Sequence, residues 1–496
     1  MPLGLYISIP FCRTKCSYCN FASDVFSKSA YENYVARLLE DIANSRQLAT
    51  GLGCTYDETA DSIYLGGGTP SILDAAQLRR IFAAVRGQFA FTPDAEITVE
   101  CAPGTLTPAL IETLLQCGVN RVSLGVQSFV DQEAQSVGRL HKRSTVLEEI
   151  GRLREAGLAN INIDLIAGLP HQTADSWAFS LSETIATGVP HASVYMLEVD
   201  EDSRLGRELI AGGARYHAHF VPDDDATADF YQQACEMLAS AGIAQYEISN
   251  FARTATHSKN GESQSNESRH NLKYWTRQPY LGFGVDAHSM LERIVWGRAP
   301  SRACPERSRR VQAERSSAAA LDHAKSGSAI AADDNEAVRH QAVRFATPDS
   351  LDAYMNRAPH TVTPVSEQAA IEECFFLGLR LNRGVDLASL QTEFSSVFEP
   401  ASFLKLDCHP ERSEGPAVCR YPAKSVGSLS PSRPTVSRDA VATWEAAIQQ
   451  CVREGLLEQR GRILRLTARG RLLSNEVFAR FLAEETKVGT GHVNPR

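Results

Sequence analysis

The chain has 496 residues, 59 acidic and 50 basic, and a formal net charge of −9 at pH 7. Its length predicts two or three domains, and its mildly acidic balance argues against a general nucleic-acid or anionic-membrane surface, though not against a local basic patch. No apolar run is long enough to span a membrane, the first residues do not resemble a signal peptide, and 12 Cys without a dense framework fit a reducing compartment. We therefore expect a soluble cytoplasmic protein with at most peripheral membrane contact.

The first predicted element is a short apolar strand that leads into three cysteines, within YISIPFCRTKCSYCNF at residues 6–21. Cys12, Cys16 and Cys19 form a C-x3-C-x2-C array, which can hold three irons of a [4Fe–4S] cube and leave the fourth open to a small chelating ligand. Reductive cleavage of S-adenosylmethionine (SAM) needs such an open iron, and the array resembles the signature of the radical-SAM superfamily. The alternatives are a zinc knuckle or buried structural thiols. Zinc would require a fourth ligand, but the next Cys is Cys54 and the first His is His141.

Residues 1–243 alternate β-branched runs with longer amphipathic stretches, which is typical of repeated βα units. We expect strands at residues 5–9, 62–65, 96–100, 121–124, 160–166 and 192–197, with helices between them, for example at 30–46, 74–88, 108–117 and 144–156. Six such units predict an α/β fold, a partial (β/α)6 barrel, whose functional residues lie at the C-terminal ends of the strands.

Glycines or polar residues follow several of these strands. After the second strand, GGGTPS at residues 66–71 could let the backbone approach a ligand and donate N–H groups to an anion. A tight turn is the alternative, and no dinucleotide or Walker fingerprint is present. Beside the cysteine array, we interpret this loop as the platform for the amino-acid part of SAM. Glu100, Gln127, Arg139 and Asp164 could each be solvated or structural, but as a set near successive strand ends they are interpreted as ligand contacts.

The pattern changes after residue 243, where QYEISNFAR predicts a seventh strand within a connecting region, residues 244–364. Residues 254–268 are polar and are predicted to be disordered. They precede HNLKYW, in which the imidazole of His270, flanked by Tyr274 and Trp275, could ligate a haem iron while the aromatic rings stack on the macrocycle. A solvated histidine in a loop is the alternative, and His288 is a second candidate.

Two further stretches, residues 301–340 and 407–433, lack the apolar periodicity of a packed element and share the sequence PERS. We interpret them as insertions tolerated in surface loops, where added length costs little. Both are expected to be disordered, and Cys304, Cys408 and Cys419 are expected to bind nothing.

The C-terminal domain, residues 365–486, returns to a globular composition. We expect helices at residues 367–381 and 440–454, a strand–turn–strand around Gly461, and a final helix at 466–482. This order resembles a winged-helix module, and the arginines between residues 453 and 471 could suggest DNA binding. Because the chain is acidic overall, we favour a helical lid with a solvated basic face, and we expect no nucleic-acid partner.

Together with EECFFLGLRL at residues 372–381, these motifs resemble one group of radical-SAM proteins, the oxygen-independent coproporphyrinogen III dehydrogenases (HemN-like). Within that group, HNLKYW is similar to the H-N-x-x-Y-W motif of the HemW-type haem chaperones. The resemblance implies that Cys12, Cys16 and Cys19 hold a [4Fe–4S] cluster with SAM on the open iron. It also implies SAM contacts from Tyr6, Tyr18, Gly67, Gly68, Thr69, Glu100, Gln127, Arg139 and Asp164, and haem contacts from His270, Asn271, Tyr274 and Trp275.

Two features favour the chaperones over the dehydrogenases. The dehydrogenases resemble C-x3-C-x2-C-x-C, but Phe21 occupies the position of the fourth Cys, and only five residues precede Tyr6 where the dehydrogenases have a long substrate-binding segment. The expected function is therefore to bind haem and pass it to an acceptor protein, for which a respiratory-chain component is one candidate. A homodimer is one option for the oligomeric state of this chain. The alternative is an enzyme that oxidatively decarboxylates coproporphyrinogen III to protoporphyrinogen IX, and enzymatic activity stays open.

Overall fold

The computed structural model describes residues 1–253, 265–293, 342–395, 397–398, 436 and 438–482. The insertions predicted at 301–340 and 407–433 lie outside the described residues, as do Cys304, Cys408 and Cys419 and most of the segment predicted to be disordered at 254–268. Residues 265–268, in contrast, are placed, and the prediction of disorder was wrong for them. In the described residues, no helix is both long enough and apolar enough to cross a membrane.

The first part of the chain builds six parallel strands with helices between them, in the spatial order β1-β2-β3-β4-β5-β6. The elements are β1 (Leu3–Ile9), α1 (Lys28–Gly51), β2 (Thr59–Gly67), α2 (Ala75–Gln88), β3 (Ala90–Cys101), α3 (Pro108–Gln116), β4 (Arg121–Gln127), α4 (Asp131–Ser136), α5 (Arg143–Glu155), β5 (Ile161–Ala167), α6 (Ala174–Thr187) and β6 (His191–Met196). The predicted partial barrel is confirmed, and each predicted strand overlaps an observed one.

The two faces of the barrel strands differ in polarity. Apolar side chains such as Ile7, Leu65 and Val99 are fully buried in the core that contains the outer helices. The alternate side chains point into the barrel and are largely polar: Tyr64, Thr98, Arg121, Ser123, Asn162, Asp164, His191, Ser193 and Tyr195. Because successive side chains of a strand point to opposite faces, one strand can supply the apolar core outside and a polar interior inside.

The region predicted to connect the two domains instead extends the barrel sheet at both edges. It follows α7 (Arg204–Ala211) and α8 (Asp224–Ser240) and comprises β7 (Ile243–Gln245), β8 (Asn250–Arg253), α9 (Arg269–Trp275), β9 (Tyr280–Phe283), β10 (His288–Glu292), β11 (Ala342–Ala346), α10 (Leu351–Met355) and β12 (Thr361–Val365). The resulting sheet has 12 strands in the order β12-β11-β10-β9-β1-β2-β3-β4-β5-β6-β8-β7. The predicted seventh strand is an antiparallel hairpin, β7 and β8, and the strand that pairs parallel with β1 is β9.

The C-terminal domain has its own hydrophobic core and a three-stranded sheet in the order β13-β15-β14. Its elements are α11 (Glu367–Gly378), β13 (Val385–Asp386), α12 (Leu387–Glu393), α13 (Arg438–Arg453), β14 (Leu457–Arg460), β15 (Ile463–Leu466), α14 (Ala468–Leu472) and α15 (Ser474–Ala479). The single final helix predicted from the sequence was wrong, because the chain interrupts it at Leu473. Arg460 and Arg465 both pair with Glu458, so part of the basic face is neutralised locally.

One carboxylate attaches the C-terminal domain to the extended sheet. Glu373 on α11 accepts hydrogen bonds from Nε of Arg277 and from Nε of Arg344, both at 2.7 Å. Arg277 follows α9, and Arg344 lies on β11. Since all three side chains are at least half buried, removal of the carboxylate would leave two guanidinium groups without compensation.

Candidate functional site

The three cysteines predicted to hold the cluster lie in the loop after β1, at the C-terminal end of the first barrel strand. All three are free thiols. Burial raises the pKa of Cys12, hydrogen bonds with Ser23 and Thr69 lower it, and the charges of Cys19 and Cys16 raise it further. Within the described ranges, no three His, Cys, Asp or Glu side chains are arranged to hold a single metal ion together. An iron–sulfur cube spreads its thiolate ligands more widely than a single ion does.

The cysteine loop is held by contacts within itself and to the rest of the barrel. Nζ of Lys15 donates hydrogen bonds to the carbonyl oxygens of Phe21 and Ser23, each at 2.6 Å. The backbone N–H of Ser17 donates to the carbonyl of Val137 at 3.2 Å. These contacts close the loop and attach it to the segment after α4 that also carries Arg139.

The glycine loop after β2 supports the cysteine loop. The N–H of Gly68 donates to the carbonyl of Ile9, and the N–H of Thr69 donates to the carbonyl of Phe11, both at 2.8 Å. A Cβ at Gly68 would lie 2.8 Å from each of these oxygens, so only glycine fits this approach. In the structure these two N–H groups are used by the backbone of the cysteine loop, and contacts between the glycine loop and SAM stay a prediction.

A buried arginine lies beside the last cysteines. Nη2 of Arg139 donates to the hydroxyl of Tyr18 at 3.1 Å. The guanidinium packs over Gly125, because its two Nη atoms lie 3.4–3.5 Å from the position that a Cβ at Gly125 would take. Gln127 lies at the end of the same strand and has a φ angle of +68°. The Nε of Arg139 is buried and has no hydrogen-bond partner among the described residues. An unpartnered buried donor is costly, so this position suits an additional acceptor such as a ligand carboxylate.

Glu100 lies at the end of β3, between the glycine loop and the barrel interior. It accepts hydrogen bonds from the hydroxyl of Tyr64 at 2.8 Å and from the backbone N–H of Gly67. Burial raises its pKa to about 7, and the charge of Asp164 contributes to the rise. The raised pKa means that the charged form of this carboxyl group is disfavoured, and a cationic ligand group beside it would favour its negative charge.

Asp164 and Tyr6 lie deeper inside the barrel than the cysteine loop. Asp164 accepts hydrogen bonds from Oγ of Ser123 at 2.8 Å and from Nδ2 of Asn162 at 2.7 Å. The ring of Tyr6 lies 6.2 Å from that of Tyr64. The predicted SAM contacts therefore extend from the strand ends to the middle of the strands, where Asp164 is already hydrogen-bonded.

The donor set fits the cofactors that the sequence resemblance implies. The structure brings together three thiols, the pair formed by Tyr18 and Arg139, and Glu100 with its glycine loop at one end of the barrel. Thiolates are suitable ligands for iron–sulfur clusters. The unpartnered guanidinium nitrogen and the raised carboxyl pKa are complementary to the carboxylate and ammonium groups of an amino acid, which SAM carries.

The HNLKYW motif lies at the opposite end of the barrel. Here α9 closes the barrel floor, and His270 is only 1% exposed. Its Nδ1 is hydrogen-bonded to Oγ of Ser62 at 3.1 Å, and its Nε2 to the hydroxyl of Tyr274 at 2.8 Å. Burial, reinforced by the charge of Lys273, lowers the pKa of His270 to about 3. The alternative of a solvated histidine in a loop was wrong, because the structure has a buried, neutral imidazole whose two nitrogens are both in use. The predicted contact between His270 and haem iron stays a prediction.

The remaining residues of the motif attach α9 to the floor. Nζ of Lys273 pairs with Asp61 at 2.8 Å and donates to the carbonyl of Pro2 at 2.9 Å. Trp275 is buried, and the guanidinium of Arg380 lies 4.2 Å from its ring centre. Asn271 faces the polar barrel interior. The motif is therefore an integral part of the barrel, with Trp275 buried and Tyr274 half-buried.

The cavity left between α9 and the polar interior is small. Its volume is about 20 Å³, and it is lined by Asn271 together with polar side chains of the barrel strands. Such a space holds about one water molecule. A tetrapyrrole therefore cannot enter this part of the barrel.

Sequence reasoning missed Tyr64, which touches both ends of the barrel interior. Its hydroxyl donates to Glu100, and its ring stacks on that of His270 with centres 5.4 Å apart. A signal was present, because Ser62, Tyr64 and Gly66 alternate with apolar residues in β2 and must share one face of the strand. The residues predicted to bind ligand were those near strand ends, and the inward-facing residues in the middle of β2 were not among them.

Comparison with known proteins identifies the family of this chain. Residues 6–181 match the model of the Radical SAM superfamily. The haem chaperone HemW of Synechocystis sp. is 34% identical over 305 residues, which cover 61% of this chain and 69% of that protein. HemW of Escherichia coli is 33% identical over 288 residues, covering 58% and 70%. Among solved structures, coproporphyrinogen III oxidase (HemN) from Escherichia coli superposes with a TM-score of 0.66 at 20% identity, over 97% of this chain and 90% of that one.

The likeness to HemN concerns the fold, and it extends through the C-terminal domain. The likeness to the HemW proteins is one of sequence and covers more than two thirds of their length. This chain belongs to the HemW family of haem chaperones, within the radical SAM superfamily.

Proposed function

We propose that this protein is a haem chaperone, which binds haem and transfers it to an acceptor protein while carrying a SAM-ligated [4Fe–4S] cluster. Membership of the HemW family is the observation that carries the proposal. The mouth of the barrel supports it, because three thiols, a buried arginine and a polarised carboxyl group meet there.

Cys12, Cys16 and Cys19 would hold three irons of the cluster. Arg139 and Glu100 would bind the carboxylate and the ammonium group of SAM, since one offers an unpartnered guanidinium nitrogen and the other a carboxyl group that a cation would ionise. Tyr18 would orient Arg139 through its hydroxyl. The remaining proposed SAM contacts are Tyr6, Gly67, Gly68, Thr69, Gln127 and Asp164. When bound, such a cluster supplies an open iron site and an electron for SAM.

Haem would bind outside the polar barrel interior, since the cavity beneath the site has room for only about one water molecule. His270, Asn271, Tyr274 and Trp275 were predicted as haem contacts. For His270 to bond to iron, its hydrogen bond to Tyr274 would have to break and α9 would have to leave the barrel floor. This requirement makes His270 a discriminating target in the experiment below.

The test is an anaerobic reconstitution of the full chain with iron and sulfide, followed by two separate titrations. In the first, haem is added and its Soret absorption is followed, and the loaded protein is then mixed with apomyoglobin as a generic haem acceptor. In the second, coproporphyrinogen III is supplied with SAM and a reductant. We expect haem binding and transfer, and no loss of carboxyl groups from the porphyrinogen.

Formation of protoporphyrinogen that disappears in Cys12→Ala, Cys16→Ala and Cys19→Ala would overturn the chaperone proposal in favour of the dehydrogenase. Absence of haem binding in the reconstituted protein would overturn it as well. A His270→Gln variant, which nearly preserves the volume of the buried side chain, reports whether the motif contacts iron directly or only maintains the barrel floor.

A further inference from the structure

Three histidines at the C-terminal end of the barrel take no part in the cluster and SAM site. His171 lies in the loop after β5, and His217 and His219 lie in the loop after α7. We call them the mouth histidine cluster. Nε2 of His171 is 3.3 Å from Nδ1 of His217. All three imidazoles lie around the ring of Phe220, at centre distances of 4.0 Å for His171, 6.2 Å for His217 and 4.1 Å for His219.

The two loops that carry this cluster are attached to each other and to α7. The N–H of His171 donates to the carbonyl of Phe220 at 3.0 Å. The carboxylate of Glu208 on α7 accepts the N–H of Tyr216 at 2.8 Å and that of Ala218 at 3.1 Å. The loop that carries His217 and His219 is therefore fixed on both sides, and the imidazoles are positioned in advance.

His171 and His217 also adopt a backbone conformation that is unfavourable for them. Their φ angles are +69° and +61°, in the left-handed region that glycine occupies readily and other residues rarely do. Strain of this kind persists where the surrounding structure imposes it, and it is concentrated at ligand sites. Here it brings two imidazoles together.

An exposed apolar face adjoins the histidines. Leu209 and Ile210 on α7 are 54% and 67% exposed, and Phe220 is 47% exposed. The turn that contains Phe220 packs against α7. Arg207 and Arg215 are exposed on the same helix and on the loop that follows it. Large exposed apolar side chains grouped in this way indicate a binding surface.

This face lies directly beside the cysteine loop. The N–H of Leu205, at the start of α7, donates to the carbonyl of Ser17 at 2.8 Å. Nη1 of Arg204 donates to the carbonyl of Lys15 at 3.2 Å. A ligand on α7 would therefore be a neighbour of the cluster and would lie at the opposite end of the barrel from HNLKYW.

We propose that the haem is held on this face, with its iron bound by an imidazole of the mouth histidine cluster, its macrocycle on Leu209, Ile210 and Phe220, and its carboxylates near Arg207 and Arg215. The proposal rests on the haem-chaperone function and adds a location to it. Haem combines a metal, a flat apolar ring and two carboxylates, and the face offers a partner for each.

The two candidate positions for the iron differ in what their imidazoles can offer. Both ring nitrogens of His270 are hydrogen-bonded, and the side chain is enclosed. The contact between His171 and His217 uses one nitrogen of each ring and leaves the other for a further partner. His219 is exposed. Of these two positions, it is the mouth histidine cluster that can reach an iron without a rearrangement of the barrel.

The test uses the full, cluster-reconstituted chain and haem titration followed by the Soret band. One variant combines His171→Asn, His217→Asn and His219→Gln, because asparagine tolerates the left-handed backbone at the first two positions. His288→Gln is the control and also tests the second haem candidate of the sequence, since it removes an exposed imidazole from another part of the sheet. His270→Gln is measured in parallel, and cluster content together with the urea unfolding midpoint verifies that each variant is folded.

We expect the triple variant to bind haem at least about tenfold more weakly than the wild type, with a shifted Soret band. The His288→Gln control should match the wild type. Unchanged affinity and an unchanged Soret band in the triple variant would overturn the location and leave the chaperone function standing. Failure of the wild type itself to bind haem would overturn both.

Discussion

Replacement of Gly68 by alanine is expected to separate the glycine loop from the cysteine loop. The added Cβ would lie 2.8 Å from the carbonyl oxygens of Ile9 and Phe11, and 3.0 Å from the backbone nitrogen of Phe11. These contacts are closer than Cβ atoms tolerate, and the atoms approached belong to the backbone, so no flexible side chain can move aside. The loops must shift apart by several tenths of an ångström.

That shift would weaken two hydrogen bonds, from Gly68 N–H to Ile9 O and from Thr69 N–H to Phe11 O. A net contribution of about 1 kcal/mol each gives a loss of about 2 kcal/mol. Overpacking of a close contact adds about 1–3 kcal/mol. The loss would fall on the loop that carries Cys12, so it should reduce both the stability of the apoprotein and the retention of the cluster.

The assay combines urea unfolding of the apoprotein with iron and sulfide content after anaerobic reconstitution. Gly87→Ala is the matched control. Gly87 is an exposed residue of α2 where a Cβ would meet nothing within 4 Å, so alanine there should stabilise the helix by about 0.5–1 kcal/mol. The two Gly→Ala substitutions should thus change stability in opposite directions. If Gly68→Ala retained the cluster and unfolded at the same urea concentration as Gly87→Ala, the close backbone approach would be refuted.

Two further substitutions test the barrel floor and the attachment of the C-terminal domain. His270 has a pKa lowered from 6.5 to about 3, first by burial and then by the charge of Lys273, so below pH 6.5 the unfolded chain takes up a proton that the folded chain does not. The associated stability is complete above pH 6.5 and is lost as the pH falls toward 3, at about 1.4 kcal/mol per unit. Between pH 7 and pH 5, His270→Gln should therefore lose about 2 kcal/mol less than the wild type in urea unfolding, and equal losses would contradict a buried neutral imidazole. Glu373→Gln leaves Arg277 and Arg344 without their carboxylate and should lower the free energy of unfolding by about 3 kcal/mol, whereas an unchanged urea midpoint would show that this network does not hold the domains together.

The barrel and its cysteine loop could be predicted because their signals are local. Short apolar runs alternate with amphipathic helices at the spacing of βα units. The predicted starts of β1 and β2 are therefore within a few residues of the observed ones. Cys12, Cys16 and Cys19 are eight residues from first to last, so their proximity requires no knowledge of the fold.

The position of HNLKYW could not be predicted in the same way, because it depends on contacts between distant parts of the chain. His270 is hydrogen-bonded to Ser62, 208 residues earlier, and its backbone N–H donates to Glu96. The sequence shows a histidine among aromatic residues, and either a solvated loop or a ligand site would have the same composition. The motif closes one end of the barrel because α9 packs against the beginnings of the strands.

The partner of the glycine loop could not be predicted for a related reason. Three glycines indicate a close backbone approach, and that approach is present. The sequence does not identify the group that is approached, and here it is the backbone at Ile9 and Phe11. The mouth histidine cluster escaped notice entirely, since His171 and His217 are 46 residues apart and no spacing rule connects them.

The side chain of Tyr64 joins the two ends of the barrel. It donates its hydroxyl to Glu100 in the proposed SAM site and stacks its ring on His270 at the floor. The hydrogen bonds that His270 makes to Ser62 and Tyr274 fix its ring and therefore the surface on which Tyr64 rests. A motif that lies far from the cysteines can thus determine where the carboxyl group of Glu100 is held. The same arrangement leaves the mouth, where α7 contacts the cysteine loop, as the end at which a large ligand can meet the cluster.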